Sequence, residues 1–212
     1  MNIFEPCNLF VGYSKDCMDE SIERLFLEAD EIYCFLFAGW SFLKKYYTYI
    51  EEALKFGKII HLLIAKPGSS FISDTLEIEK YYGFPISGKN NNINDEITEV
   101  EKNVSILNAN NSNNKISLKY FQKLYRLPFI LGVKRNENEI VSLISITNVV
   151  IPPGRTKDSL LIKATANEDE IKKCIDSIKN NTSLDVSNLA INLFVFFEYI
   201  WNNSEISHEE HL

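Results

Sequence analysis

The sequence predicts a single α/β domain in which a mixed, mostly buried sheet is flanked by helices. Two apolar runs without alternation, Glu31–Gly39 and Lys58–Gly68, are typical of strands covered on both faces. An amphipathic segment that begins at Ser41 separates them, so the two strands should be parallel neighbours in a βαβ unit. The length of 212 residues suits one domain with a full core.

The first half of the chain alternates short strands and helices. Leu9–Ser14 has the composition of a strand, and the helix after it can take Asp16 as its cap. The helix after the first apolar run should extend from an N-cap at Ser41 to a C-cap at Gly57. A further helix is predicted over 73–82, before a polar loop that spans 87–96.

The second half changes character after one more amphipathic helix, around Ile97–Leu107, and an Asn-rich loop, Asn108–Lys115. Four short strands with turn signals between them then precede two helices. The strands are predicted over 116–120, 127–133, 139–148 and 159–166, and the helices over 168–179 and 185–202. We therefore expect one domain over 1–205 and a frayed tail over 206–212.

Composition excludes several classes of protein. The formal net charge of −7 argues against a broad nucleic-acid surface, which needs clustered Lys and Arg. No apolar stretch approaches the ~20 residues of a membrane helix, and the N-terminus lacks the pattern of a signal peptide. The four cysteines have no metal-ligand spacing. We expect a cytoplasmic protein with reduced cysteines, no metal and no cofactor.

Two turns are candidate ligand contacts because topology should bring them to one edge of the sheet. Gly39, Trp40 and Ser41 follow the first buried strand, whereas Lys66 and Ser69 follow the second. Ligands of open α/β sheets bind beyond the carboxyl ends of strands. A lysine beside Gly-Ser backbone can hold a phosphate or a carboxylate. The alternative for each turn is an ordinary strand exit with a capping serine or a solvated lysine.

Other chemically active residues have simpler interpretations. His61 lies within an apolar strand, where a lone histidine is most often a hydrogen-bonded core residue. Glu51 and Glu52 fit a solvated helix face. His208 and His211, near the chain end, do not match a zinc motif.

Large parts of the chain resemble a phospholipase D-like domain. The resemblance rests on ADEIYCFLFAG, on YYTYIEEALKFGKIIHLLIAKPGSS, and on FFEYIWNNSE near the end of the chain. The family carries a His-x-Lys-x(4)-Asp signature, in which the histidine attacks phosphorus and the lysine holds the phosphoryl oxygens. A Gly-Ser-x-Asn segment often follows it, and Ser145 to Asn148 resembles that segment. The resemblance therefore makes Asn148 a further candidate ligand contact.

The histidine and the lysine of that signature are missing from this sequence. The histidine and lysine should fall near Phe129–Val133, where the chain has Phe, Ile, Leu, Gly and Val. A phosphohistidine intermediate requires an imidazole at that position. The resemblance thus implies a catalytically inactive domain that acts as a sensor, regulatory or interaction module and binds a small anionic ligand or a protein partner.

Two enzymatic alternatives remain open. One is a divergent phosphodiesterase that uses His61. The other comes from a weaker resemblance of FVGYSKD, SFLKKYYTYIEEAL and GKIIHLLI to a Toll/interleukin receptor-type domain, which implies a NAD hydrolase that uses Glu51 or Glu52. The short spacing between Ser14 and Ile32 argues against the second alternative.

The last helix also predicts self-association. Phe194, Phe196 and Trp201 lie outside its main apolar stripe, so the helix needs cover on most of its faces. Phospholipase D-like domains commonly pair, and the resemblance therefore points the same way. We expect a homodimer with this helix or a strand near the inactive site in its interface.

Overall fold

The fold is known from a computed structural model that describes residues 3, 10–70, 72–74, 77, 93–111, 115–122, 128–135, 139–146, 160–180 and 188–206. The helices in these ranges are α1 (Ser14–Glu28), α2 (Trp40–Lys45), α3 (Tyr47–Lys55), α4 (Ile93–Asn110), α5 (Glu168–Lys179) and α6 (Leu189–Asn202). The strands are β1 (Phe10–Tyr13), β2 (Glu31–Phe35), β3 (Ile59–Ala65), β4 (Ile116–Phe121), β5 (Phe129–Lys134), β6 (Glu139–Ile146), β7 (Leu160–Ala166) and β8 (Glu205–Ile206).

Within these ranges, the strands form one mixed sheet with the order β1-β7-β6-β5-β2-β3-β4-β8. The centre is parallel, because β2 pairs with β3 and β3 pairs with β4 in the same direction. Strands β5, β6, β7 and β1 extend one side in antiparallel pairs, and β8 closes the other side against β4. The predicted parallel βαβ unit and the predicted mixed sheet are confirmed.

Helices cover both faces of this sheet. On one face, α1 lies close to β5, where a Cβ placed on Gly132 would be 3.0 Å from Leu25 Cγ. On the other face, Phe197 of α6 contacts Phe129 of β5 at a ring-centroid distance of 6.4 Å. Both Phe129 and Phe197 are at most 1% exposed, so the centre of the sheet is buried from both sides. Unbroken apolar strands such as β2 and β3 require this double cover.

The predicted single helix from Ser41 to Gly57 is wrong, because α2 and α3 meet at Tyr46. The backbone of Tyr46 leaves the helical region at φ −105° and ψ 17°. Its buried side chain donates a 2.6 Å hydrogen bond to Asp19 of α1, and Lys45 also contacts that carboxylate at 2.5 Å. The break therefore follows from a contact with α1, which the local sequence does not reveal.

The caps of this segment are confirmed in part. The predicted N-cap is wrong, because α2 is capped by Gly39 and Ser41 lies inside the helix. The predicted end at Gly57 is confirmed by its positive φ of 82°. The N–H of Lys58 donates to Ala53 O and that of Gly57 donates to Leu54 O, the bonds of a Schellman motif.

Several other predicted boundaries differ. Helix α1 begins at Ser14, so Asp16 lies within its first turn instead of capping it. Helix α4 includes the last residues of the predicted 87–96 loop and the first residues of the predicted Asn-rich loop. Near the end of α4, the side chain of Asn108 donates to Ile116 O and accepts from Ile116 N. These are the two hydrogen bonds that a neighbouring strand would make with the first residue of β4.

Near the end of the chain lies a short strand, β8, that the sequence pattern does not predict. Ile206, predicted to begin the tail, lies in β8 and pairs with Lys119 of β4. Much of the predicted 73–82 helix, the start of the predicted 185–202 helix and the rest of the tail lie outside the described residues.

Candidate functional site

The two predicted ligand turns lie side by side at the carboxyl edge of the parallel strands. The backbones of β2 and β3 stay hydrogen-bonded up to this edge, where Leu36 N donates to Leu63 O at 3.0 Å and Ala65 N donates to Phe37 O at 2.9 Å. A Cβ on Gly39 would be 3.2 Å from Ile64 Cγ2 of the neighbouring strand. The expected juxtaposition is therefore found. We call this region the carboxyl edge, defined by Gly39–Ser41 and Lys66–Ser69.

The members of the carboxyl edge differ in accessibility. Trp40 is half-buried and packs against the core, whereas Ser41 is exposed. Lys66 and Ser69 are half-buried, and the Oγ atom of Ser69 is buried without a hydrogen-bond partner among the described residues. Asn148, the remaining candidate, lies outside the described residues.

The turn after β3 is held by its own backbone and by α4. Ser69 N donates to Lys66 O at 3.2 Å across Pro67 and Gly68, which has a φ of 69°. These features are typical of a type II turn. Gly68 N also donates a 3.0 Å hydrogen bond to Asn94 Oδ1 at the start of α4. The first turn of α4, next to this turn, carries the exposed Asp95 and the buried Glu96.

Strand β5 occupies the position where the phospholipase D resemblance expects catalytic groups. Phe129, Ile130, Leu131 and Gly132 are all buried. Phe129 stacks on Phe35 at 5.1 Å. The strand pairs with β2 on one side and β6 on the other, so it is central in the sheet. Residues 129–132 of β5 therefore serve packing, and none of them carries an imidazole or an ammonium group.

A second cluster surrounds His61 on the face covered by α6. The imidazole stacks on Tyr33 at 4.8 Å and meets Trp201 edge-on at 5.0 Å. The Lys119 ammonium lies 4.7 Å from the centre of the Trp201 ring and donates a 3.0 Å hydrogen bond to Trp201 O. We call Tyr33, His61, Lys119 and Trp201 the His61 cluster. It joins β2, β3 and β4 to the last turn of α6.

Burial sets the protonation of this cluster. Burial and the nearby Lys119 lower the pKa of His61 from 6.5 to about 4, so the imidazole is neutral near pH 7. Burial and the Glu198 carboxylate raise the pKa of Tyr33 to about 12. Burial also raises the pKa of Glu198, an effect that Lys119 opposes. The buried Nδ1 of His61 has no hydrogen-bond partner in the described part of the chain.

The expectation that His61 is a hydrogen-bonded core residue holds only in part: the ring packs between aromatic side chains, but its Nδ1 has no hydrogen-bond partner among the described residues. Sequence reasoning also missed its neighbours. Register between separate strands brings Tyr33 opposite His61, and nothing local encodes that pairing. The sequence does contain one signal for this cluster, because Glu198 is the single charged residue in the apolar helix LAINLFVFFEYIWN.

The remaining candidates occupy ordinary surroundings. Glu51 forms a 2.9 Å ion pair with Lys55 four residues later, and Glu52 is exposed. Over the described ranges, no three His, Cys, Asp or Glu side chains gather as a metal ion would need. Nor does any helix in those ranges combine the length and apolarity required to cross a membrane.

Comparison with known proteins gives a likeness of fold. No protein-family model matches the chain, and no curated protein matches it. Among solved structures, the chain is similar to TrmBL2, an archaeal chromatin protein whose structure shows a novel mode of DNA binding, with a TM-score of 0.50 and 11% identity. The alignment covers 94% of this chain and 54% of that one, so the chain spans about half the length of TrmBL2. At this identity the likeness is one of fold alone.

Proposed function

We propose that this domain is a non-catalytic, phospholipase D-like regulatory module of the cytoplasm that recognises a small anionic ligand. The observation that supports the proposal is β5, where buried apolar side chains fill the stretch in which the phospholipase D-like resemblance expects a nucleophile and a cation. Attack on phosphorus requires an accessible nucleophile, and Phe129 and Leu131 supply none.

The alternative nucleophile is poorly presented. His61 is stacked on Tyr33 and meets the Trp201 ring edge-on, and its Nδ1 is buried. A general base or nucleophile must reach the reacting atom within hydrogen-bond distance. These contacts favour a packing role for His61 over a catalytic one.

The carboxyl edge supports recognition of one anionic group. Lys66 is a half-buried source of positive charge at this edge, and the exposed Ser41 offers a hydroxyl group. The exposed Asp95 in the adjacent turn of α4 would repel a polyanion more strongly than a single phosphate or carboxylate. The proposed ligand is therefore a small molecule with one such group.

Binding at the carboxyl edge is tested with inorganic phosphate as the probe. Trp40 belongs to this edge, so its fluorescence should change as phosphate is added. The Lys66→Gln variant should bind at least about tenfold more weakly, a loss expected for one charge-assisted contact. The exposed Lys115, which directly precedes β4, provides the matched control Lys115→Gln, which should bind as the wild type does. Equal binding by both variants would refute this site.

Catalysis is tested separately. The purified protein should hydrolyse bis-nitrophenyl phosphate no faster than buffer. Turnover that disappears in His61→Ala would establish the phosphodiesterase alternative in place of our proposal. Consumption of NAD that disappears in Glu51→Gln or Glu52→Gln would establish the NAD-hydrolase alternative.

DNA binding is the other function that the likeness to TrmBL2 brings forward. A formal net charge of −7 opposes extensive contact with phosphates, so we propose that this domain does not itself bind duplex DNA at physiological salt. Fluorescence anisotropy with a labelled duplex over a range of salt concentrations tests this. Submicromolar binding that weakens steeply with salt would make DNA binding the preferred function.

A further inference from the structure

The His61 cluster holds the end of α6 and the strand that follows it. The Trp201 ring contacts the imidazole, and the backbone carbonyl oxygen of Trp201 accepts a hydrogen bond from Lys119. The backbone of the same lysine pairs with Ile206 of β8. The segment from Trp201 to Ile206 is therefore attached to the sheet through residues that adjoin His61.

A proton on His61 would disturb these contacts. The imidazolium would carry a second positive charge beside the Lys119 ammonium, in a half-buried position. On β2, the facing group is Tyr33, whose hydroxyl donates to Glu31, and Glu31 is already paired with Arg135. On α6, the facing acid is Glu198, which acts on Tyr33 and Lys119. Described groups on β2, β4 and α6 thus leave an imidazolium without a bonded counter-ion.

We propose that His61 is a proton-operated latch: its protonation releases the segment from Trp201 to Ile206 from the sheet while the rest of the domain stays folded. Buried residues earlier in α6 keep that helix in place, since Phe197 is fully buried and Leu193 is 7% exposed. Release uncovers the outer edge of β4 at Lys119 and Tyr120, where β8 pairs in the closed state.

The sign of the effect follows from linkage. In the closed state the pKa of His61 is about 4, whereas a released, solvated imidazole returns to about 6.5. The released state therefore binds the proton more tightly, and closure weakens as pH falls below about 6.5 and is weakest below about 4. The interval of about 2.5 pH units corresponds to an increase of about 300-fold in the opening constant.

The decisive experiment is hydrogen exchange of the full chain between pH 7 and pH 4, corrected for intrinsic rates. Protection factors of the amides from Trp201 to Ile206 should fall about tenfold per pH unit between about pH 6.5 and pH 4, while those of β5 change much less. The His61→Phe variant keeps an aromatic ring and loses the proton site, so its protection should not depend on pH in this window. An unchanged pH dependence in that variant would overturn the proposal, as would equal loss of protection in β5.

A second measurement keeps the test independent of that variant. NMR titration of the wild-type imidazole should give a midpoint that coincides with the change in Trp201 fluorescence, recorded in a Trp40→Phe background. Replacing His208 and His211 by Gln leaves His61 as the sole histidine and should preserve both transitions. Midpoints that differ clearly, or a Trp201 change that appears only with global unfolding, would overturn the latch.

Discussion

At the scale of single residues, both the backbone conformation and the packing at position 39 favour glycine. Its φ of 81° lies in the left-handed region, and a Cβ would stand 3.2 Å from Ile64 Cγ2. We expect Gly39→Ala to lower the free energy of unfolding by about 1–3 kcal/mol, the sum of backbone strain and crowding. Gly68→Ala is the matched control, because its φ is 69° but a Cβ there meets nothing within 4 Å.

Urea denaturation distinguishes the two glycines. Backbone strain alone should cost Gly68→Ala about 1 kcal/mol, less than Gly39→Ala. An equal or larger loss at Gly68 would mean that the contact with Ile64 relaxes without cost.

A substitution at Gly132 tests packing without the backbone strain that arises at Gly39. A Cβ there would lie 3.0 Å from Leu25 Cγ and 3.1 Å from the Cβ of Ala29, so β5 and α1 approach closely at this point. We expect Gly132→Ala to destabilise the domain by about 1–3 kcal/mol through overpacking. The double variant Gly132→Ala/Leu25→Ala should recover part of that loss beyond additivity. A strictly additive double variant, measured by denaturation, would contradict the assigned contact.

At the scale of elements, Lys58 links the end of α1 to the start of β3. Its Nζ donates to Phe26 O at 2.7 Å and to Leu27 O at 2.5 Å, two carbonyl groups in the last turn of α1. We expect Lys58→Met to lower the free energy of unfolding by about 1–2 kcal/mol, because the variant keeps the aliphatic stem and loses the cap.

Lys55→Met is the control for this prediction, since Lys55 forms an exposed pair with Glu51. Such a pair contributes less than about 0.5 kcal/mol. Thermal denaturation of the two variants under identical conditions compares them. A larger loss in Lys55→Met would show that the capping bonds of Lys58 have little weight.

At the scale of the whole molecule, α6 is covered mainly by its own chain. Phe194 meets Tyr33 at 5.3 Å and Phe196 meets Phe35 at 6.1 Å, so the aromatic groups that prompted the expectation of a dimer pack on the sheet. The outward face of α6 retains Val195, 39% exposed, and Tyr199, 62% exposed. Any interface on this helix must therefore use that narrower face.

We still propose a homodimer at micromolar concentration, and Tyr199→Asp now tests its interface better than Phe194→Asp. Light scattering should give twice the 24.5 kDa of one chain for the wild type and a lower mass for Tyr199→Asp. Phe56→Asp is the control, because Phe56 is 77% exposed at the end of α3. A single-chain mass for the wild type rejects the dimer. Dissociation by Phe56→Asp alone would move the interface to α3.

The sequence by itself determined the α/β class, the parallel pair and the shared edge of the two ligand turns. Unbroken apolar runs and a helix between them carry that information locally, as does Gly57 with its positive φ. The absence of a nucleophile near Phe129 was also readable, because chemistry depends on residue type. Ligand binding at the carboxyl edge stays a prediction.

Only the tertiary structure decided the break at Tyr46, the strand β8 and the gathering of residues around His61. Each depends on groups far apart in the chain: Asp19 with Tyr46, Lys119 with Ile206, and Tyr33 with Trp201 through the imidazole. Local patterns encode period and capping, whereas register and helix placement follow from packing the whole core at once. For that reason the sequence identified His61 as a lone histidine, and the fold supplied the neighbours that set its charge.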